Sequence, residues 1–292
     1  MDIEIKNLTK TYRQNKVIAL NNISLKISTG IVGMLGDNGA GKSTLIKILV
    51  TLLSKTKGEI KIDNFTLPKD VESIRNILGY LPQDFDMFGT LTVYEAMYYV
   101  CSLKDVPINN RAQEIEHLLQ KVNLIDKKDF KVNQLSGGMK QRLGIATSFI
   151  GDPKLIILDE PTVGLDPIER LNFRNLVSDF SKDRLIILSS HIISDISMLC
   201  DDIIIMKKGN LLYCGKTYDL VESLSGKIFI APIQSEDTID TKFFKNIISI
   251  SRTEIRYFTD NNILLPNSTS STPNLEDAYF YVSSKGGYYD DF

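Results

Sequence analysis

The sequence predicts an α/β fold in which helices cover a mixed sheet, and two kinds of pattern support this prediction. Continuous short apolar runs are typical of parallel strands that are buried on both faces. Three such runs occur, at residues 31–35, 155–158 and 185–188. The first run is followed at once by a glycine-rich loop and then by a helical pattern over residues 42–53. Strand, glycine-rich loop and helix form the order that a phosphate-binding loop requires.

Further elements are expected on either side of this loop. Residues 3–8 alternate between apolar and polar side chains, and residues 17–27 form a second strand-like stretch. Together they predict an antiparallel sheet at the N-terminus. The stretch from about 84 to 150 has apolar residues at helical spacing and predicts a helical subdomain.

The pattern of the chain changes near residue 222. Before it, residues 203–213 read as two strands joined by a turn. After it, short alternating pieces are separated by polar loops, and a helix is expected at residues 274–282. We therefore expect a main domain at 1–222 and a small α+β accessory region at 223–292.

Composition excludes several classes of protein. Hydrophobic residues make up 43% of the chain and charged residues 24%, which is ordinary for a globular protein with a proper core. The formal net charge of -2 argues against a nucleic-acid partner, because DNA and RNA binding depends on a basic surface. The three cysteines lack metal-ligand spacing and are expected to be reduced thiols. No signal peptide and no continuous apolar run long enough for a membrane span are apparent, so we expect any work at a membrane to be done through a partner.

The glycine-rich loop begins at Gly36 and ends at Lys42 and Ser43, in the pattern G-x-x-x-x-G-K-[ST]. The glycines let backbone N–H groups turn inward around phosphates at the positive end of the following helix. In this pattern Lys42 contacts the β- and γ-phosphates, and the Ser43 hydroxyl is a ligand of Mg²⁺. The loop alone indicates a nucleoside triphosphatase and fits GTPases, kinases and motor ATPases equally.

Charged and glycine-rich residues further along the chain complete a candidate site. Asp159 ends a buried strand, so it is expected to be a second anchor for Mg²⁺, and Glu160 beside it can orient or deprotonate the attacking water. Ser136, followed by two glycines, precedes a helix and forms another anion-binding N-terminus. His191 follows a buried strand at the end where ligands of α/β sheets collect. The other histidine, His117, reads as a surface residue of a helix.

The order of these motifs resembles the ABC ATPase family. Residues 135–142 resemble its signature motif, 155–161 its Walker B strand with the catalytic glutamate, and 164–167 its D-loop. Gln83 matches the Q-loop and His191 the switch histidine. The resemblance covers residues 36–191 and extends more weakly to residue 222.

The resemblance implies a complete set of site residues and two cofactors, ATP and Mg²⁺. The expected catalytic residues are Glu160, His191 and Gln83, and the expected Mg²⁺ ligands are Ser43, Gln83 and Asp159. The residues expected to bind ATP in the same subunit are Tyr12, Gly36, Asn38, Gly39, Ala40, Gly41, Lys42, Ser43 and Thr44. In the family, an aromatic residue such as Tyr12 stacks on the adenine. Asp37 stands where the family often has proline.

Other expected contacts lie between two subunits. Ser136, Gly137 and Gly138 are expected to cap the nucleotide of the opposite protomer, with Asp166 in the D-loop. Dimerisation with a second ATP-binding subunit, identical or related, is thus part of the implied mechanism.

The resemblance also implies a polytopic membrane permease as partner and a peripheral position on the cytoplasmic face of the membrane. The C-terminal segment, residues 274–280, resembles the tail of ATP-binding subunits in drug, antibiotic and bacteriocin-type exporters, so export is preferred over import. The alternative class is an ABC ATPase that acts on DNA or ribosomes. The chain shows no coiled-coil insertion, second ATPase domain or basic linker of the kind that such proteins carry.

Overall fold

The computed structural model describes residues 1–12, 17–233, 246–260 and 263–285. The strands are β1 (Asp2–Tyr12), β2 (Val17–Ser28), β3 (Gly30–Leu35), β4 (Lys57–Ile62), β5 (Phe65–Leu67), β6 (Leu78–Leu81), β7 (Leu155–Asp159), β8 (Leu185–Ser189), β9 (Asp202–Lys207), β10 (Asn210–Lys216), β11 (Ile228–Pro232), β12 (Ile247–Ile250), β13 (Glu254–Phe258) and β14 (Thr269–Ser270). The helices are α1 (Lys42–Leu49), α2 (Val71–Ile77), α3 (Val93–Leu103), α4 (Ile108–Lys121), α5 (Gly137–Ser148), α6 (Pro167–Phe180), α7 (Ile193–Ser197), α8 (Thr217–Glu222) and α9 (Leu275–Lys285).

The central sheet is mixed and has the strand order β10-β9-β3-β8-β7-β6. Its strands β9, β3, β8, β7 and β6 run parallel, and β10 pairs with β9 in the antiparallel direction. Successive side chains of β7 enter two different hydrophobic cores. Ile156 and Leu158 belong to one core, and Leu155 and Ile157 belong to the other. Alternate side chains of a strand point to opposite faces. The continuous apolar runs of the sequence are therefore explained by burial on both faces, as predicted.

The two cores differ in what covers the sheet. On one face, α1 and the antiparallel N-terminal sheet, in the order β2-β1-β4-β5, bury the apolar side chains. On the other face, α3, α4, α5 and α6 form the cover. The predicted N-terminal antiparallel sheet is confirmed. Helices α3 to α5 lie within the stretch in which the helical subdomain was predicted.

The accessory region contains a third sheet, with the order β12-β13-β11-β14. Residues 267–272 form one of the polar segments that were expected to be loops between the strands, but Thr269 and Ser270 pair with β11. Helix α9 packs both on this sheet and in the main core: its residues Leu275, Ala278 and Val282 belong to the same buried cluster as Phe258 of β13 and as Leu35 and Ile196. This end of the accessory region is thus part of the main core.

A buried ion pair fixes α9 to the third sheet. Asp277 is fully buried, and the Arg256 guanidinium donates to both of its oxygens, Nε to Oδ1 over 2.6 Å and Nη2 to Oδ2 over 2.5 Å. The Asn274 amide donates to Asp277 Oδ2 over 2.7 Å at the start of the helix. Two parallel N–H donors on one carboxylate fix the relative orientation of the two side chains as well as their distance. The position of α9 is therefore set at its N-terminus.

Among the described helices, none has both the length and the apolar character needed to cross a bilayer.

Candidate active site

The strand order brings three separate segments to one edge of the central sheet. Strand β8 pairs with β3 on one side and with β7 on the other, all in the parallel direction. Their carboxyl ends therefore lie side by side, which is where α/β sheets bind ligands. The glycine-rich loop follows β3, Glu160 follows β7 and His191 follows β8.

The glycine-rich loop wraps the start of α1. Gly41 has a φ of 108°, and a side chain there would approach the Ala19 carbonyl oxygen to 2.7 Å. Gly36 is equally constrained, because a Cβ would lie 2.5 Å from the Met206 carbonyl oxygen. Only glycine fits such a conformation at such a close approach. The loop can thus expose its backbone to a ligand.

Lys42 is the buried cation of this loop. It is 6% exposed, and its Nζ donates to the Gly36 carbonyl oxygen and lies 3.5 Å from that of Asp37. Burial lowers the pKa of Lys42, whereas the carboxylates of Glu160, Asp159 and Asp37 act in the opposite direction. Burying an ammonium group costs free energy unless it is paired. Lys42 is therefore a cation whose surroundings favour the arrival of an anion.

An open cleft of about 310 Å³ lies over the loop. Residues 37–44 of the loop line it, together with Gln83, Glu160 and residues 17–19. The side chains of Val17 and Ile18 are more than half exposed there. Exposed apolar side chains beside a polar loop suit a ligand that has both an apolar ring and an anionic group.

A serine from the neighbouring strand holds the Asp159 carboxylate and the backbone amide of Glu160. The Ser189 hydroxyl donates to Asp159 Oδ1 over 2.5 Å and accepts from the Glu160 amide over 3.0 Å. Asp159 is 3% exposed, and Ser189 is fully buried. Burial, and next the charge of Asp159, raise the pKa of Tyr80 to about 12, so this phenol stays protonated near the carboxylate. Asp159 thus keeps a fixed place beside the loop.

Glu160 has a left-handed backbone conformation, with a φ of 52°. This conformation is unfavourable for a residue with a side chain and is concentrated at functional sites. Its Oε2 lies 2.7 Å from His191 Nδ1. The Glu160 side chain is 8% exposed, whereas that of His191 is 57% exposed. His191 is therefore bonded to a carboxylate that lines the cleft, but it is not itself among the described residues that line it.

The residues around Ser136 lie apart from this cleft. Ser136 caps α5, its Oγ accepting from the Met139 amide over 3.3 Å, and it is exposed together with Gly137. A side chain at Gly137 would meet open space. Within the described part of the chain, residues 136–138 are not among those lining the cleft over the loop. They form a second, outward-facing helix N-terminus.

Asp166 is bound into its own helix. It caps α6 by accepting from the Glu169 amide over 2.8 Å, and Glu169 Oε2 accepts from the Asp166 amide over 3.3 Å. This reciprocal arrangement is a capping box, and Pro167 stands at the first helical position. The D-loop aspartate therefore has a structural role within the subunit.

Residues 20–163 match the sequence family described as ABC transporter. The chain belongs to the ABC transporter family of ATP-binding cassettes. It is 32% identical to ABC transporter A family member 8 of Dictyostelium discoideum, over 96% of this chain and 38% of that protein. It is 30% identical to the probable multidrug ABC transporter ATP-binding protein YbhF of Escherichia coli, over 98% of this chain and 52% of that protein. The cassette thus spans about half or less of the length of these relatives.

Solved structures give the same result. A dimeric structure of the ATP-binding cassette MJ0796 bound to ADP and Pi is 29% identical, with a TM-score of 0.68, over 73% of this chain and 98% of that one. A bacterial Atm1-family ABC exporter with ATP bound is 25% identical, with a TM-score of 0.68, over 76% of this chain and 40% of that one. The predicted fold class, a P-loop NTPase of ABC type, is confirmed.

Most of the predicted site residues of the cassette meet at one place. Residues 38–44, Gln83 and Glu160 line the cleft, Gly36 lies buried behind the loop, and Asp159 is the buried neighbour of Glu160. The Tyr12 side chain is at the rim, with its hydroxyl 3.5 Å from Thr44 Oγ1. His117 lies exposed on α4, as expected.

Two groups of residues were missed by sequence reasoning. Ser189 binds the Asp159 carboxylate and the backbone amide of Glu160, and the signal that could have found it is a polar residue at the carboxyl end of a buried strand. The apolar residues at the rim of the cleft, Val17 and Ile18, belong to an alternating strand and gave no separate signal.

Proposed function

We propose that this cassette hydrolyses ATP with Mg²⁺ and powers an ABC exporter through a separate membrane permease. The observation that carries the proposal is the convergence of a buried lysine, Lys42, with the carboxylates of Asp159 and Glu160 at the edge of one nucleotide-sized cleft. A phosphate-binding cation next to a metal-anchoring aspartate and a potential base is what phosphoryl transfer to water needs.

The residues present fit a magnesium ion. The Ser189 hydroxyl occupies one oxygen of Asp159, and a carboxylate has further lone pairs that can coordinate a metal. The Ser43 hydroxyl and the Gln83 side chain line the same cleft and add oxygen donors, the type that Mg²⁺ prefers. When bound, the ion would neutralise charge that develops on the β- and γ-phosphates.

Each protein group then has a defined task. Lys42 and the backbone N–H groups of the loop hold the phosphates, and the exposed apolar rim at Tyr12 and Val17 receives the adenine. Glu160 accepts the proton of the attacking water, because its carboxylate is fixed near the cleft. His191 is exposed next to Glu160, which supports the proposal that it contacts the γ-phosphate.

Two copies are needed to close the site. Ser136 and Gly137 form an exposed helix N-terminus with open space in front of it, which is suited to an anion. Because they do not line the cleft of their own subunit, we propose that they cap the nucleotide of a second cassette. The dimeric state of the similar cassette MJ0796 supports this arrangement.

Export and the permease are inferred from the relatives and from an exposed surface. A relative is described as a probable multidrug transporter ATP-binding protein, and a similar structure as an exporter. Between Gln83 and α3 the cassette exposes aromatic side chains, with Phe88 61% exposed and packed edge-on against Tyr99. We propose that the permease docks on this surface and holds the cassette at the cytoplasmic face of the membrane. No nucleic-acid partner is proposed.

Replacement of the proposed base tests the ATPase directly. Glu160→Gln keeps the size of the side chain and removes its ability to accept a proton. We expect Mg-ATP to bind normally, turnover to fall by about 100-fold or more, and an ATP-bound dimer to accumulate. Phosphate release and size-exclusion chromatography with Mg-ATP measure these effects.

The matched control is Glu72→Gln, the same change at an exposed glutamate of α2 outside the cleft. It should leave turnover unchanged. Adding Ser136→Arg to the Glu160→Gln chain should prevent the dimer while each subunit still binds ATP. Unchanged turnover in Glu160→Gln would refute the proposed base, and a dimer that survives Ser136→Arg would refute the trans contact.

Transport needs a separate experiment. The cassette and its genomic membrane neighbour, reconstituted in vesicles with the cassette outside, should accumulate a multidrug dye in the vesicle lumen when ATP is added. ATP-dependent release of a preloaded dye would instead indicate import. ATPase activity without movement of dye in either direction would indicate an ABC ATPase that does not drive transport.

A further inference from the structure

Helix α9 of the accessory region reaches the phosphate loop. Its residue Tyr279 donates a hydrogen bond from the phenol oxygen to Asp37 Oδ1 over 2.8 Å. Asp37 is the second residue of the loop and lines the nucleotide cleft. The two residues are 242 positions apart in the chain, so this contact exists only because α9 folds back on the main domain.

A second contact fixes the same stretch of α9. The Ser283 carbonyl oxygen accepts from Lys207 Nζ over 2.7 Å. Lys207 follows Met206, whose carbonyl oxygen would lie 2.5 Å from a Cβ at Gly36. Ser283 is four residues after Tyr279 and therefore on the same face of the helix. Helix α9 is thus hydrogen-bonded both to Asp37 in the phosphate loop and to Lys207, the residue after Met206.

The carboxylate of Asp37 is unusual at this place because the loop receives phosphates. A negative charge there repels the ligand and also attracts Lys42, whose pKa it acts to raise. A hydrogen bond from a neutral phenol occupies the carboxylate and gives it a fixed direction toward α9. Burial, and then the contact with Asp37, raise the pKa of Tyr279 to about 12, so the phenol remains a donor at neutral pH.

We propose that Tyr279 is a positioning residue for nucleotide binding: it holds the Asp37 carboxylate on the side of α9, away from the phosphates. The accessory region thereby sets the affinity of the phosphate loop for nucleotide. This inference rests on the nucleotide binding of the proposed function but on no step of hydrolysis or transport.

The test is nucleotide affinity in the full chain with Tyr279→Phe, which removes only the hydroxyl. We expect the Kd for a fluorescent ATP analogue, and the KM of the ATPase, to rise about 3- to 10-fold, the effect of one freed charge near the phosphates at high dielectric. The value of kcat should change less than about twofold, because the substitution does not alter the carboxylates of Asp159 and Glu160. Adding Asp37→Asn should restore the Kd, since a neutral amide does not repel phosphate.

The control is Tyr281→Phe on the same helix. Its phenol also donates to an aspartate, Asp260 Oδ1, over 2.7 Å, but Asp260 is outside the cleft. This variant should lower stability as much as Tyr279→Phe and leave the Kd unchanged. Equal losses of affinity in the two variants, or no loss in Tyr279→Phe, would overturn the proposal.

A variant that does not depend on α9 makes a second test. Asp37→Asn alone should change the Kd less than about twofold, because Tyr279 already keeps the carboxylate away from the ligand. Tightening of more than about threefold would overturn the proposal, since it would show that the charge still acts on the phosphates. A wild-type chain that binds no nucleotide would refute the proposed function instead.

Discussion

The serine between the strands offers the sharpest test of how the cassette places its carboxylates. In Ser189→Ala, Asp159 loses a hydroxyl donor at 2.5 Å, and the Glu160 amide loses an acceptor at 3.0 Å. The Glu160 amide still has the Ser189 carbonyl oxygen, at 3.2 Å. The loss of the hydroxyl donor to Asp159 therefore accounts for most of the expected effect.

The magnitude follows from burial. A hydrogen bond to a charged group contributes about 1.5–3 kcal/mol, and the upper part of this range applies because Asp159 is 3% exposed. Losing the Glu160 contact adds about 0.5 kcal/mol, since its donor keeps a partner. If about 2–3 kcal/mol of this loss falls on the transition state, kcat/KM drops roughly 30- to 150-fold.

The assay is phosphate release at varied Mg²⁺ concentration, together with urea unfolding. We expect a lower kcat/KM and a higher Mg²⁺ concentration at half saturation. The control Ser190→Ala changes the next residue, whose hydroxyl oxygen accepts from the Ile192 amide over 2.9 Å, and should leave the Mg²⁺ dependence unchanged. Values within twofold of wild type for both kcat/KM and Mg²⁺ half saturation would refute the role of Ser189.

Two other predictions concern buried charges. Arg256→Met leaves the fully buried carboxylate of Asp277 without its guanidinium partner, so we expect the free energy of unfolding to fall by about 3–5 kcal/mol in urea titrations, and a loss below about 1 kcal/mol would contradict it. Burial lowers the pKa of Lys42 in the free protein, and bound phosphates favour its charged form. At a pH between the pKa of Lys42 in the free protein and its pKa in the nucleotide complex, binding should therefore take up protons. Calorimetry over a series of alkaline pH values, in two buffers of different ionisation heat at each pH, measures this uptake, and a binding heat that does not depend on the buffer at any pH would argue against it.

The sequence by itself determined the elements that depend on short-range pattern. The spacing of Gly36, Gly41 and Lys42 specifies a phosphate loop, because the steric requirement for glycine is local. The apolar runs specified the buried strands, since a strand covered on both faces needs apolar side chains at every position. The order of motifs was enough to indicate the family.

Only the tertiary structure decided which of these pieces meet. Strand β8 lies between β3 and β7, and this order brings Ser189 against Asp159 although the two residues are 30 positions apart. Strand order and register are not encoded in local periodicity, which has the same form for every buried strand. Sequence alone therefore gave no reason to pair Ser189 with Asp159, although its place at the carboxyl end of a buried strand is a signal for a site residue.

The accessory region shows the same limit. Its helix was predicted from a local pattern, but its packing in the main core and the contact between Tyr279 and Asp37 were not. Such contacts join residues separated by most of the chain, and they form because burying the apolar face of α9 against the main core is favourable. The hydrophobic effect has no direction, so it is the shape of the folded core that places the Tyr279 hydroxyl at the phosphate loop.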